Sequence, residues 1–104
     1  MPVVVVQAEA FNLSRIPTVI VVPLAAQLRL AESPGNVRVP AAASRLGRDL
    51  VANVAQPLTL ERRWVRETSA RLSDELLESI AAGLALVLGL GVRGQGSAEM
   101  HPSL

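Results

Sequence analysis

The pattern of apolar positions begins with a near-continuous β-branched run, PVVVVQ at Pro2–Gln7, which predicts a strand buried on both faces. Asn12, Ser14 and Pro17 then make Ala8–Pro17 a connecting loop. A second, longer strand is predicted at Thr18–Leu30 (TVIVVPLAAQLRL). Within it Pro23, which has no N–H for a ladder, marks a bulge or a free edge. Its second half alternates, with Leu24, Ala26, Leu28 and Leu30 on one face and Ala25, Gln27 and Arg29 on the other. Ala31–Gly35 (AESPG) has turn composition, Asn36–Val39 reads as a short strand, and Ala41–Gly47 as a helical turn. Leu50–Leu60 (LVANVAQPLTL) returns to strand, with Pro57 again at an edge or bulge, and Val65–Leu72 is compatible with a last short strand.

After Leu72 the period changes from two to nearly four. Leu76, Ile80, Leu84 and Leu88 form one apolar stripe, widened by Leu77 and Val87. Ser73 is placed to cap the first turn, Asp74 and Glu75 complement the positive end of the helix dipole, and Gly89 is placed to stop the helix in a left-handed cap. Gly91–Leu104 is rich in Gly, Ser and Pro and predicts a disordered tail. Short strands followed by one amphipathic helix make the fold class mostly β: a small barrel or curled sheet covered by a C-terminal helix.

Composition narrows the chemistry. A chain of 104 residues suffices for one domain. Half of it is hydrophobic and only 18% is charged, so it has the apolar content to build a core. That core must come from Val, Leu, Ile and Ala, because Phe11 and Trp64 are the only aromatics. With no cysteine, disulfides, thiolate metal sites and cysteine nucleophiles are excluded, which suits a cytoplasmic protein. The N-terminus lacks the basic stretch of a signal peptide. The longest apolar run, Ile80–Val92, falls short of the roughly 20 residues of a spanning helix, so a soluble protein is expected.

All ten basic residues are arginine, and the net charge of +1 alone does not indicate nucleic acid. The distribution says more. Between Ala10 and Arg48 five arginines (15, 29, 38, 45 and 48) face one acid, Glu32, whereas from Asp49 to Glu78 six acids outnumber four arginines. A basic half rich in loops suits either a phosphate-tracking surface or an ordinary solvated face. Nucleophilic serine catalysis has no support, since Ser69, Ser73 and Ser79 have no His–acid partners nearby. The glycine-rich GLGVRGQG follows the helix, where a phosphate loop would precede one. His101, the only histidine, sits in the tail.

Read as a string, NLSRIPTVIVVPL, LRLAESPGNVRVPA, RDLVANVAQPLTL and RLSDELLESIAAGLALVLGL succeed one another in an order that resembles the MazF/PemK family of bacterial toxins. Each motif is weak alone; the collinear succession from about Pro2 to Leu90 is specific. The resemblance implies one toxin domain over residues 1–90 and a tail over 91–104. It implies an SH3-like small β-barrel of the MazF/PemK/CcdB type, a homodimer and a cognate antitoxin. It also implies metal- and cofactor-independent cleavage of single-stranded RNA, in which a ribose 2′-hydroxyl attacks the adjacent phosphate to leave a cyclic phosphate and a 5′-hydroxyl. An arginine suits the stabilisation of the crowded phosphorane-like charge.

At the chemical positions the resemblance breaks. Family chains open with a strand of the Arg-Gly-Asp/Glu-Ile-Trp type and a glycine loop ending in Arg-Pro. Here Met1 stands where the catalytic Arg is expected, and the barrel is expected to be incomplete at its N-terminal side. Ala25 stands where a Thr or Ser hydroxyl is expected, so neither catalytic side chain is retained. Gln56 matches a glutamine of the family's RNA groove, and Asn12, Arg15 and Arg29 lie on the segments expected to flank it. Leu50 replaces a small polar residue. Trp64 either stacks a base or is a packed or half-exposed barrel residue. These matches leave two readings, a catalytically impaired endoribonuclease toxin or a non-catalytic module that binds antitoxin or dimerises.

Overall fold

The computed structural model describes residues 2–6, 15–66 and 71–90. Five strands, β1 (Val3–Val5), β2 (Thr18–Ala25), β3 (Val37–Val39), β4 (Leu50–Ala52) and β5 (Leu58–Glu61), form one curled sheet. The short helix α1 (Ala41–Ser44) joins β3 to β4, and α2 (Asp74–Leu88) closes the described chain. The order is β1-β2-β4-β3, all antiparallel, with β5 pairing β2 beside β4.

β2 organises everything else. One of its edges pairs with β1, Val4 opposite Val22. The other is shared: Thr18–Val21 pair with β5 and Leu24–Ala25 with β4. Pro23 falls where that edge passes from one partner to the other. The Leu24 N–H bonds to Pro2 O and Val6 N–H to Ile20 O, so even-numbered residues of β2 direct their backbone toward β1 and odd-numbered ones away. The missing N–H of Pro23 therefore falls in the gap between β5 and β4, while its carbonyl accepts from Asn53 N–H at 3.0 Å. A proline in a central strand costs no ladder bond at this one position.

Burial on both faces belongs to β2, not to β1. Val22 and Leu24 enter the main core from one side of β2, and Val19 and Val21 are buried on the other. The valine run of β1 alternates instead, with Val4 buried and Val5 37% exposed, because β1 is an edge strand. The backbone groups of Val3 and Val5 point away from β2, and no described residue pairs with them.

Two predicted strands are corrected. Thr18–Leu30 stops at Ala25, and Leu28–Glu32 is a 3-10 turn held by Leu30 N–H to Gln27 O and Ser33 N–H to Leu30 O. Its alternating pattern had no second strand to pair with. Leu50–Leu60 divides into β4 and β5, because residues 53–57 turn between the two stretches of β2 that those strands pair with. The predicted strand over Val65–Leu72 is not formed at residues 65 and 66, which follow a second 3-10 turn at Arg62–Trp64; residues 67–70 lie outside the described residues, as do Phe11 and the predicted tail with His101.

The helix follows the sequence expectation. Ser73 Oγ accepts the Leu76 N–H at 3.2 Å, and Gly89 adopts φ +71° beyond the last turn. Ile80 is fully buried among Val4, Val22, Leu24, Val39, Leu50, Ala52 and Val54, with Leu76, Leu77 and Leu84 packed around it. Burying one such side chain contributes about 1.5–3 kcal/mol. One helical turn beyond Ile80, Gly83 is buried with its backbone against Gly35, so α2 sits directly on the turn before β3. No described helix is long and apolar enough to cross a membrane.

Two polar contacts lock the loops around this core. Asp49 takes a 2.7 Å bond from Arg38 and a 2.8 Å bond from the Ala41 N–H at the start of α1, and these donors hold its carboxyl below the ordinary carboxylate range. Asn36 bridges two loops: its Nδ2 donates to Leu30 O at 2.9 Å, and its Oδ1 accepts the Val54 N–H at 3.0 Å.

Candidate functional site

Ala25 is the last residue of β2, half-buried, its backbone opposite Val51. The Leu24–Pro2 hydrogen bond brings the start of β1 beside it. The two segments that the sequence marks as chemically important, the start of the valine run and the end of β2, are thus neighbours in space. Ala25 offers this place a methyl group and no donor or acceptor of its own side chain. Met1 and Asn12 lie outside the described residues.

Gln56 approaches the same end of β2 from the β4–β5 turn, which the Asn53 N–H to Pro23 O bond fixes to the strand. Its Oε1 accepts from Asn53 Nδ2 at 3.2 Å, and its backbone N–H bonds to Asn53 O. With the carbonyl end of the amide so occupied, the Nε2 donor makes no bond among the described residues and the side chain is exposed. Arg29 is exposed on the 3-10 turn four positions beyond Ala25, a turn that packs beside β4. Gln56 thus sits on the turn alongside Pro23, and Arg29 on the turn beyond Ala25.

Arg15 does not join them. It precedes β2, and eight strand residues at about 3.3 Å each put the two ends of that strand roughly 23 Å apart. Near Arg15 the chain is clamped by Arg62, whose Nε donates to Ile16 O at 3.1 Å and whose N–H bonds to Pro17 O at 2.7 Å. Leu50 is likewise no groove residue: it is buried in the main core, where an apolar side chain is a packing requirement.

One further cluster, at the Arg15 end, has only a faint signal in the sequence. Trp64 is 73% exposed, Arg63 lies 5.1 Å from its ring centroid, and the same Glu61 oxygen accepts from Arg63 Nε at 2.6 Å and from Trp64 Nε1 at 3.1 Å. Of the two alternatives for Trp64, packing against the barrel is the one this exposure contradicts. The available signal was a lone tryptophan set among arginines, RRWVR. Among the described residues no group of three or more His, Asp or Glu side chains is arranged to hold a metal ion.

The polar end of the sheet offers amide and guanidinium donors to a phosphate or a base edge, and Arg38, ion-paired with Asp49, lies two strands from Ala25 in the same cross-strand row. Comparison with known proteins gives this geometry its context. Residues 1–88 match the model of the PemK-like, MazF-like toxins of type II toxin–antitoxin systems. Endoribonuclease MazF2 of Mycobacterium bovis and endoribonuclease MazF6 of Mycobacterium tuberculosis are each 37% identical over 89 residues, 86% of this chain and 78% of theirs. Among solved structures, Mycobacterium tuberculosis toxin MazF-mt6 superposes with a TM-score of 0.74 at 18% identity, over 86% of both chains. An endoribonuclease in complex with its cognate antitoxin, from a mycobacterial species, gives 0.71 at 22% identity, over 86% of this chain and 81% of that one. The curled sheet with its C-terminal helix is the fold of those toxins, and the chain belongs to the PemK/MazF family of type II toxin–antitoxin toxins.

Proposed function

We propose that this chain is the toxin partner of a cognate antitoxin in the cytoplasm, and that it binds single-stranded RNA with cleavage strongly impaired. The observation that carries the impairment is Ala25. It occupies the end of β2 beside the start of β1, with a methyl group where the family's mechanism calls for a hydroxyl. Binding is a separate matter, because Gln56 and Arg29 remain on that end of the sheet with donors available to base edges and phosphates.

The purified 104-residue chain should bind a long single-stranded RNA at low salt and leave it uncut. Arg29→Ala should weaken binding across all sequences and reduce the salt slope by about 1, as expected for one lost phosphate contact. Anisotropy titrations at several salt concentrations measure the first, and gel analysis of the same RNA measures the second. Specific cuts that survive a heat-killed control overturn the impairment, and an absence of binding at low salt overturns the RNA reading.

A second reading, dimerisation, rests on an apolar groove of about 500 Å³ between α2 and the β1–β2–β5 face. Ile20, Leu58, Leu84, Leu88 and Leu90 line it, no charged side chain does, and Leu88 and Leu90 are 57% and 61% exposed. A continuous apolar patch of this kind suits a second copy of the chain, through a self-complementary interface. Sedimentation should show a dimer, and Leu88→Asp should shift it to monomer without unfolding the domain, since Leu88 is outside the main core. A monomeric unsubstituted chain at tens of micromolar would rule this out.

A further inference from the structure

The Trp64 cluster lies at the opposite end of β2 from Ala25 and has no part in the chemistry described above. An exposed indole is unfavourable in water, yet this one is held in place rather than left loose. Arg62 fixes the base of the turn through Ile16 O, Pro17 O and Thr18 O, and Val65 N–H closes it on Arg62 O at 3.1 Å. Glu61 then orients both the indole N–H and the Arg63 guanidinium through one carboxylate oxygen. The product is an ordered aromatic–guanidinium platform facing solvent.

Its surroundings are cationic. Arg15 and Arg66 are exposed nearby in the chain and make no ion pair with a described residue, while the negative charge of Glu61 is already shared by Arg63 and Trp64. An open cleft of about 510 Å³ beside the platform is lined by Pro17, Thr18, Glu61, Arg62 and Arg63. An aromatic face among arginines matches a single-stranded nucleic acid, in which phosphates follow the positive charge and an unpaired base stacks on the ring.

We propose that Trp64, oriented by Glu61 and flanked by Arg63, is a base-stacking subsite for single-stranded RNA, remote from the Ala25 end of the sheet. This deepens the RNA reading and rests on it. A strand held at Gln56 and Arg29 must span at least the length of β2, roughly 23 Å, around the sheet to reach the platform. That is within the roughly 4–16 nucleotides covered by small single-strand-binding domains. Long strands therefore gain from the platform, and the shortest ones do not.

The chain carries its own probe, because Trp64 is the only tryptophan and there is no tyrosine. Titration of the full chain with a single-stranded oligouridylate of about 16 nucleotides should quench indole emission in parallel with the anisotropy of the labelled RNA. Trp64→Ala should weaken binding of that RNA about 5- to 150-fold, the size of one lost base–aromatic stack. Trp64→Phe should recover most of the loss, and an oligonucleotide of about 4 residues should bind both proteins alike. Helical circular dichroism should be unchanged in the variants, as expected for an exposed side chain. Tight RNA binding with unchanged emission and an unaffected Trp64→Ala variant overturns the subsite while leaving the RNA reading intact. Failure of the unsubstituted chain to bind RNA overturns both, and emission that responds to the antitoxin but not to RNA assigns the platform to a protein partner and overturns it too.

Discussion

Replacing Gly83 with alanine should destabilise the fold by about 3 kcal/mol or more, the upper part of the range for overpacking. In an unconstrained helix the same change would stabilise by about 1 kcal/mol, because alanine has the better helix propensity. Here the added Cβ would overlap the carbonyl oxygen of Gly35 and crowd its carbonyl carbon at 2.9 Å. Both partners are backbone, so no rotamer change relieves the contact; α2 or the turn before β3 must shift as a unit. The turn has little freedom to do so. Gly35 sits at φ +84°, and a Cβ there would in turn meet Gly83 O at 2.9 Å and Val54 Cγ2 at 3.1 Å. Moving α2 outward would withdraw Ile80 from the core instead. Against a total stability of roughly 5–15 kcal/mol, the loss should appear as a large fall in the urea midpoint at nearly unchanged slope. A Gly83→Ala protein as stable as the original would mean that α2 does not rest on Gly35.

The example shows what was legible in the sequence and what was not. The helix was legible at both ends, since its cap residues and its four-residue apolar period act within one element, and Ser73 and Gly89 occupy the cap positions. β2 was legible as a strand, but its length was not. The pattern from Leu24 to Leu30 alternates, and only the absence of a partner beyond Ala25 ends the strand. The division of Leu50–Leu60 was hidden for a related reason: β4 and β5 pair with different stretches of β2, a fact of register that lies outside either segment. Gly83 leaves no trace in the apolar stripe, yet it is where α2 meets the turn before β3. At the site, the resemblance implies RNA contacts at Gln56, Asn12, Arg15 and Arg29; Gln56 lies on the turn fixed to Pro23 and Arg29 on the turn beyond Ala25. Arg15 lies at the other end of β2, separated from Arg29 by the length of that strand. The Trp64 platform depends on a 3-10 turn and one shared carboxylate oxygen, neither of which leaves a periodic trace.

Asn36→Ala should cost about 1–3 kcal/mol, because its Oδ1 is the partner of the buried Val54 N–H, while Leu30 O keeps a bond from Ser33 N–H. The amide donates to Leu30 O at the end of the 3-10 turn and accepts the N–H of Val54 on the β4–β5 turn, eighteen positions away. Val54 is fully buried, so its N–H has limited access to water once Asn36 Oδ1 is removed. Leu30 O is half-buried and still accepts the Ser33 N–H at 3.1 Å, so the cost falls mainly on Val54. The same turn carries Gln56, whose Oε1 is held by Asn53, so freeing Val54 should also loosen the amide proposed to meet RNA. Two readouts separate this account from a general loss of stability. Hydrogen exchange at the Val54 amide should accelerate beyond what the fall in global stability explains, while the Ile80 amide follows the global change alone. RNA affinity measured where the variant remains folded should fall in step with the effect of Gln56→Ala, and the two substitutions combined should weaken binding by less than the sum of their separate effects. Additive losses would mean that Asn36 stabilises the domain without positioning the β4–β5 turn.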